Sequence, residues 1–236
     1  MSLHDKKYIV IRKILSKELV KIYYDYLINK EKVCVTLLDN RYINPFSTDY
    51  GFFNDPQVLN AYSTYGDLLF DNMMTDLKPR IEKETGLELS EMYSYARNYR
   101  QRDELTRHKD RGSCEISGTI NLGGDPWPIY IDPNPENGEF RTHDGSPVAR
   151  TNTFKYKPGE LKYISSGEKG VEVLLEPGDC MIYLGCECEH WRNPLLDKGC
   201  SQVFIHYRQT KDIKSNDELW DTRLGPGMPN YTTRHK

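Results

Sequence analysis

Apolar residues recur at helical spacing over roughly the first third of the chain and in short alternating runs after it. Ser16 is placed to cap a helix over 17–30, where Leu19, Ile22, Tyr23, Tyr26 and Leu27 return every three or four positions. The β-branched stretch 33–38 predicts a short strand. A second helix is expected after Asp55, with Pro56 in its first turn and Val58, Tyr62, Tyr65, Leu68, Leu69, Met73 and Ile81 along it. Thr85-Gly86 should end that helix, and Pro79 should kink or divide it.

Beyond Gly86 the period changes to two. Strands are expected over 87–99, 114–122, 127–131, 171–175, 180–184 and 201–207, separated by turn-formers such as Asn137-Gly138 and Pro177-Gly178-Asp179. Helices first and strands second predict an α+β chain with helices covering one face of a β-sandwich. No internal repeat is visible. The reading is one domain: a helical support region over 1–86, a strand core over 87–210 and an extended, partly ordered tail over 211–236. The polar, irregular stretch 140–170 reads as an insertion near a site mouth.

Composition narrows the function. The formal net charge is −3, which disfavours a phosphate-binding partner, although the basic stretch from Arg97 to Arg111 keeps nucleic acid open. No apolar run is long enough to span a bilayer and the start lacks a signal-peptide core, so a soluble cytoplasmic protein is expected. Six cysteines spread through a chain of this size are expected to be reduced rather than a disulfide framework.

The chemistry lies in His108-Lys109-Asp110 and a distant histidine, His190. In an extended segment, side chains two apart point the same way, so His108 and Asp110 can grip one ion. Two imidazoles and a carboxylate form a facial triad that suits Fe(II) and leaves positions open for a co-substrate and dioxygen. A competing set, Cys186-x-Cys188-x-His190, offers softer ligands that zinc would accept, and its alternative is a strand with packed thiols. His143-Asp144-Gly145 reads as a solvent-facing turn. His206 alternates with Phe204 and reads as a core or pocket-lining imidazole.

Tyr99, His108-x-Asp110, Pro177-Gly178-Asp179, His190, Pro194 and Gly199 together resemble the catalytic core of the Fe(II)/2-oxoglutarate-dependent dioxygenases, in particular the prolyl-hydroxylase-like branch. The resemblance spans Tyr99 to Tyr207. It implies a double-stranded β-helix (jelly-roll or cupin-like) and an Fe(II) held by His108, Asp110 and His190. It also implies 2-oxoglutarate and dioxygen as co-substrates, a hydroxylated small-molecule or peptide substrate, and release of succinate. Asp110 as third ligand favours hydroxylation over halogenation.

One position departs from that pattern. The family carries Arg or Lys two residues after the glycine, where this chain has Ser201, or Cys200 or Gln202 if the register shifts. A buried dianion without a cation is costly. Arg192, two residues after His190, is the replacement expected to hold the co-substrate carboxylate, with Tyr99 and Ser201 adding hydroxyl contacts. A cupin-like metal enzyme that uses no 2-oxoglutarate and a non-catalytic zinc- or ligand-binding sandwich are the alternatives.

Overall fold

From Leu89 onward the chain crosses back and forth between two facing antiparallel sheets. The computed structural model describes residues 2–148 and 160–232. Strands β3 (Leu89–Arg100), β5 (Ile116–Gly124), β11 (Cys180–Tyr183) and β13 (Gly199–Gln209) build the larger sheet. Two strands from the N-terminal region, β1 (Tyr8–Ile11) and β2 (Tyr62–Tyr65), extend it to the order β1-β11-β5-β13-β3-β2. The smaller sheet runs β10-β6-β12-β4, from β4 (Leu105–His108), β6 (Ile129–Asp132), β10 (Val171–Val173) and β12 (Glu189–Arg192). Such alternation of consecutive strands between two sheets is a double-stranded β-helix. A third, small sheet, β8-β7-β9, comprises β7 (Glu139–Thr142), β8 (Pro147–Val148) and β9 (Leu161–Ile164) within the stretch read as irregular; positions 149–159 of that stretch lie outside the described residues.

The helices pack on the outer face of the larger sheet. After a single turn, α1 (Leu3–Lys6), helix α2 (Lys17–Asp39) starts at Ser16, whose hydroxyl accepts from Leu19 N, and buries Val20, Tyr23, Leu27 and Cys34. It runs through the stretch expected to be a strand, 33–38. Tertiary contacts override β-branching there: Cys34 is fully buried, and Glu31 accepts from Asn98 Nδ2 (2.7 Å) and Arg100 Nη2 (2.6 Å) on β3.

The second expected helix begins twelve residues late by the sequence reading, since α3 (Leu68–Thr85) is capped by Asp67, whose Oδ1 accepts from Leu69 N (2.9 Å) and Phe70 N (3.3 Å). Asp55 instead makes a local turn, accepting from Gln57 N at 2.7 Å, and the Tyr-Ser-Thr-Tyr run forms β2. Pro79 is carried inside one helix, and Gly86 ends it in the left-handed conformation at φ 73°.

Through residue 232 the tail packs against the body of the protein. Arg223 lies in the core and donates to Asp71 Oδ2 at 2.8 Å, with both side chains nearly without solvent exposure. It also donates to the carbonyls of Gly66, Trp220 and Met228. Asp71 in turn receives Ser94 N (3.0 Å), Ser94 Oγ (2.7 Å) and Gly227 N (2.9 Å). Buried charges that are paired and fully hydrogen-bonded tie the tail to α3 and β3. Among the described residues, no helix is long and apolar enough to cross a membrane.

Candidate functional site

β4 and β12 are neighbours in the smaller sheet, and their register sets His190 directly opposite His108. Neither strand shows an alternating apolar pattern, so neither stands among the strands expected from period alone; only the packed-thiol reading of Cys186-x-Cys188-x-His190 and the extended reading of His108 to Asp110 pointed to them. The chain leaves β4 and brings Asp110 alongside, its N–H donating to Gly185 O at 2.9 Å. Asp110 Oδ1 stands 3.3 Å from His108 Nε2 and 3.4 Å from His190 Nε2. The three donor groups all lie within 4.8 Å of one another.

Backbone carbonyls fix both imidazoles. His108 Nδ1–H donates to Thr106 O at 2.7 Å and His190 Nδ1–H to Cys188 O at 3.0 Å. A carbonyl only accepts, so each Nδ1 carries hydrogen and each Nε2 is the ring nitrogen turned to Asp110, free to donate to the carboxylate when protonated and to a metal once that proton leaves. Ser117 Oγ donates to Asp110 Oδ2 at 2.8 Å and holds the carboxylate from behind. Gly185 is there for lack of room: a Cβ would collide with Asp110 Oδ2, Ser117 Oγ and Cys114 O. Burial works against ionisation of Asp110, but the attraction and hydrogen bonds of His190 and His108 outweigh it and hold the carboxyl well below its usual range. Burial likewise opposes charge on His190, and Asp110 reverses it, raising that imidazole.

A cavity of about 600 Å³ opens over these groups. Tyr93, Tyr95, Arg97 and Tyr99, successive inward positions of β3, form one wall; Tyr183, Phe204 and His206 form another. Both arginines that line it are paired with carboxylates. Arg97 pairs with Asp55 at 3.1 Å, and Arg111 forks onto Asp221 at 2.5 and 3.2 Å.

Arg192 is different. It is 2% exposed and donates to Trp127 O (2.6 Å), Gln202 Oε1 (3.2 Å) and Thr119 Oγ1 (3.4 Å), with no carboxylate partner among the described residues. Its Nε is buried without a partner, and so is the hydroxyl of Tyr99. Burial pulls the guanidinium below its usual pKa, and the neighbouring Cys200, Tyr99 and Tyr183 act the other way. An unpaired buried cation beside an unpaired buried phenol is costly unless an anion joins them.

Ser201, expected among the co-substrate contacts, does not reach the cavity. Its hydroxyl donates to Asn98 Oδ1 at 2.7 Å, on the side of the sheet where Asn98 meets Glu31 of α2. Inward positions of β13 carry the other parity, Gln202, Phe204 and His206. Gln202 is therefore the residue facing Arg192, and the parity of Phe204 and His206 was the signal that could have found it. Tyr183 and Trp127, whose rings lie 4.7 Å from His190 and Tyr99 respectively, were also missed.

The zinc alternative does not assemble. Cys188 is fully buried in the main apolar cluster, and the Cys186 thiol donates to Arg111 O at 3.0 Å. Neither belongs to a metal-capable group among the described residues. His206 lines the cavity, with Nδ1 3.0 Å from Ser117 Oγ, and burial pushes its pKa down to about 4. His143 lies in the turn after β7.

The architecture is that of the double-stranded β-helix proteins. No protein-family model and no curated protein matches the chain. Solved structures do. A prolyl-4-hydroxylase from Pseudomonas putida aligns with a TM-score of 0.51 at 16% identity, covering 88% of this chain and 95% of that one. HygX from Streptomyces hygroscopicus, crystallised with nickel and 2-oxoglutarate, aligns with a TM-score of 0.52 at 16% identity over 96% and 93% of the two chains. EctD from S. alaskensis, in its apo form, gives 0.53 at 15% identity over 99% and 81%. At these identities the likeness is one of fold.

Proposed function

We propose that this protein is an Fe(II)- and 2-oxoglutarate-dependent dioxygenase that hydroxylates an unactivated C–H bond of a small-molecule or peptide substrate. The observation that carries the reading is the convergence of His108, Asp110 and His190, with both histidine Nε2 atoms turned to the Asp110 carboxylate. These three side chains would hold the metal. Bound there with 2-oxoglutarate and dioxygen, Fe(II) supplies hydroxylation coupled to decarboxylation, with succinate and carbon dioxide as co-products.

The chain's own part is orientation and charge. Arg192 supplies the cation for the distal carboxylate of 2-oxoglutarate from β12 instead of β13. Thr119 and Gln202 hold one edge of its guanidinium, and Nε and Tyr99 Oη remain to be satisfied. The unmet donors favour an enzyme using 2-oxoglutarate over a cupin-like enzyme that does without it. HygX, in the structure described above, binds nickel and 2-oxoglutarate on the same fold. Tyr93, Tyr95, Tyr99, Tyr183 and Phe204 line a cavity within the usual range for small ligands, roughly 300–1,000 Å³, and limit water around the reacting carbon.

Anaerobic titration with Fe(II) and 2-oxoglutarate, followed by succinate analysis in air, tests the reading. Metal-dependent 2-oxoglutarate binding and succinate formation are expected. Iron binding without 2-oxoglutarate binding would leave the cupin-like enzyme, and no iron binding would sink both.

A further inference from the structure

The two oxygens of Asp110 face different neighbours. Oδ1 is turned to His108 and His190, while Oδ2 receives Ser117 Oγ, which itself lies 3.0 Å from His206 Nδ1. Ser117 Oγ also lies 3.1 Å from the Cys114 carbonyl oxygen. A carboxylate oxygen of Asp110, Sγ of Cys114 and a ring nitrogen of His206 all lie within 4.8 Å of one another, and all three residues line the cavity. We propose that Asp110, Cys114 and His206 form a second divalent-ion site, selective for a thiophilic ion such as Zn²⁺ and sharing Asp110 with His108 and His190.

The donor set argues for the ion. Thiolate, imidazole and carboxylate are the three ligand types that zinc accepts, and three protein ligands with the fourth position open to a cavity is its usual arrangement outside structural sites. The hard-ligand preference of Mg²⁺ or Ca²⁺ excludes them at a thiolate. Of the six cysteines only Cys114 lines this cavity. The Tyr93 hydroxyl, 3.0 Å from Cys114 Sγ, can donate to the sulfur once its proton has left, as outer hydrogen bonds do around bound thiolates. Each ion bound releases that thiol proton to solvent. Because Asp110 is common to both sites, a zinc ion here draws on the same carboxylate as an ion on the histidine side and occupies the cavity beside it.

Cobalt(II) reports the site directly, because a cobalt–thiolate bond absorbs in the near ultraviolet. Titrating metal-free protein with Co²⁺ should give that absorption, and Zn²⁺ should abolish it by displacement. In Cys114→Ser the absorption should disappear and zinc affinity should fall at least about tenfold, since a ligand is lost. In His108→Ala it should persist. Absence of the absorption in the unaltered protein, or its survival in Cys114→Ser, overturns the proposal. A measurement free of variants guards against misfolding: Zn²⁺ should protect Cys114 of the unaltered protein from alkylation, read on the Cys114 peptide by mass spectrometry, and unprotected Cys114 also overturns it. Loss of Fe(II) binding with the cobalt absorption intact would sink the triad and leave this site standing.

Discussion

Arg192 and Gln202 meet across the interior of the barrel, the arginine from the smaller sheet donating to the glutamine of the larger one at 3.2 Å. The resembled family carries a basic residue on its last strand; here the last strand offers the acceptor Gln202, and the buried cation facing it belongs to the opposite sheet. Charge stays inside the barrel while its point of attachment changes.

Arg192→Ala should raise the apparent KM for 2-oxoglutarate by roughly 30-fold to several-thousand-fold, the loss of a charge-assisted contact worth about 2–5 kcal/mol in a desolvated site. Arg192→Lys should recover only part, because an ammonium cannot reproduce the fork. Uncoupled 2-oxoglutarate turnover measures both. An unchanged KM in Arg192→Ala would move the anchor elsewhere.

Arg192→Met should separate the cost of the cation from its use. Without co-substrate this variant should melt no earlier than the unaltered protein, since the unpaired buried charge is gone. The rise in Tm with 2-oxoglutarate, about 2.7 kcal/mol of stabilisation at a hundredfold excess over Kd, should vanish. Equal stabilisation of both proteins in a thermal melt would contradict this.

His108→Ala, Asp110→Ala and His190→Ala should each remove most Fe(II) binding and all succinate formation, since a facial triad has no spare protein ligand. Gly185→Ala should weaken iron binding although all three ligands are retained, because its methyl group displaces Asp110 and Ser117. Calorimetric titration with Fe(II) under nitrogen reads all four. Normal affinity in Asp110→Ala would mean that the metal lies elsewhere.

Replacing Cys186 and Cys188 together with Ser should leave Fe(II) content and iron-dependent turnover in place. Cys188 sits in an apolar cluster, so a buried hydroxyl there should lower stability by about 1–3 kcal/mol. Elemental analysis alongside a denaturant melt distinguishes the two effects.

Arg223→Ala should cost about 3–5 kcal/mol, because Asp71 is then left as a buried charge without its cation. Replacing the pair with Met and Leu should cost markedly less. A double-mutant cycle by urea unfolding gives both numbers, and a surface-like cost below about 1 kcal/mol for Arg223→Ala would refute the clamp.

The parts of this architecture that repeat with a clear period were legible in the sequence. β3, β5, β6, β10, β11 and β13 all fall within two residues of the expected strands at their starts. The i, i+2 spacing of His108 and Asp110 keeps those two side chains on one side, and His190 joins them through the β12–β4 register, which no local pattern marks. What failed was decided at a distance. Whether 33–38 becomes helix depends on Glu31 reaching Asn98 and Arg100; whether Asp55 or Asp67 caps a helix depends on β2 pairing with β3. Ser201 was one residue off the inward parity, and a one-residue shift turns every side chain to the other face. Nothing local marks Arg223 as a core residue, since its partner lies far away in the chain.

That separation has a consequence for synthesis. Asp71 and Arg223 stand 152 residues apart. At about 5–20 residues per second, the counter-charge for a carboxylate at the start of α3 leaves the ribosome roughly 8–30 s after the carboxylate itself. During that interval the growing chain can build helix and sheet, but it has nothing with which to neutralise Asp71 in the place it finally occupies. A nascent chain stalled before Arg223 lacks the cation that pairs with Asp71 at the seam between its helices and its larger sheet.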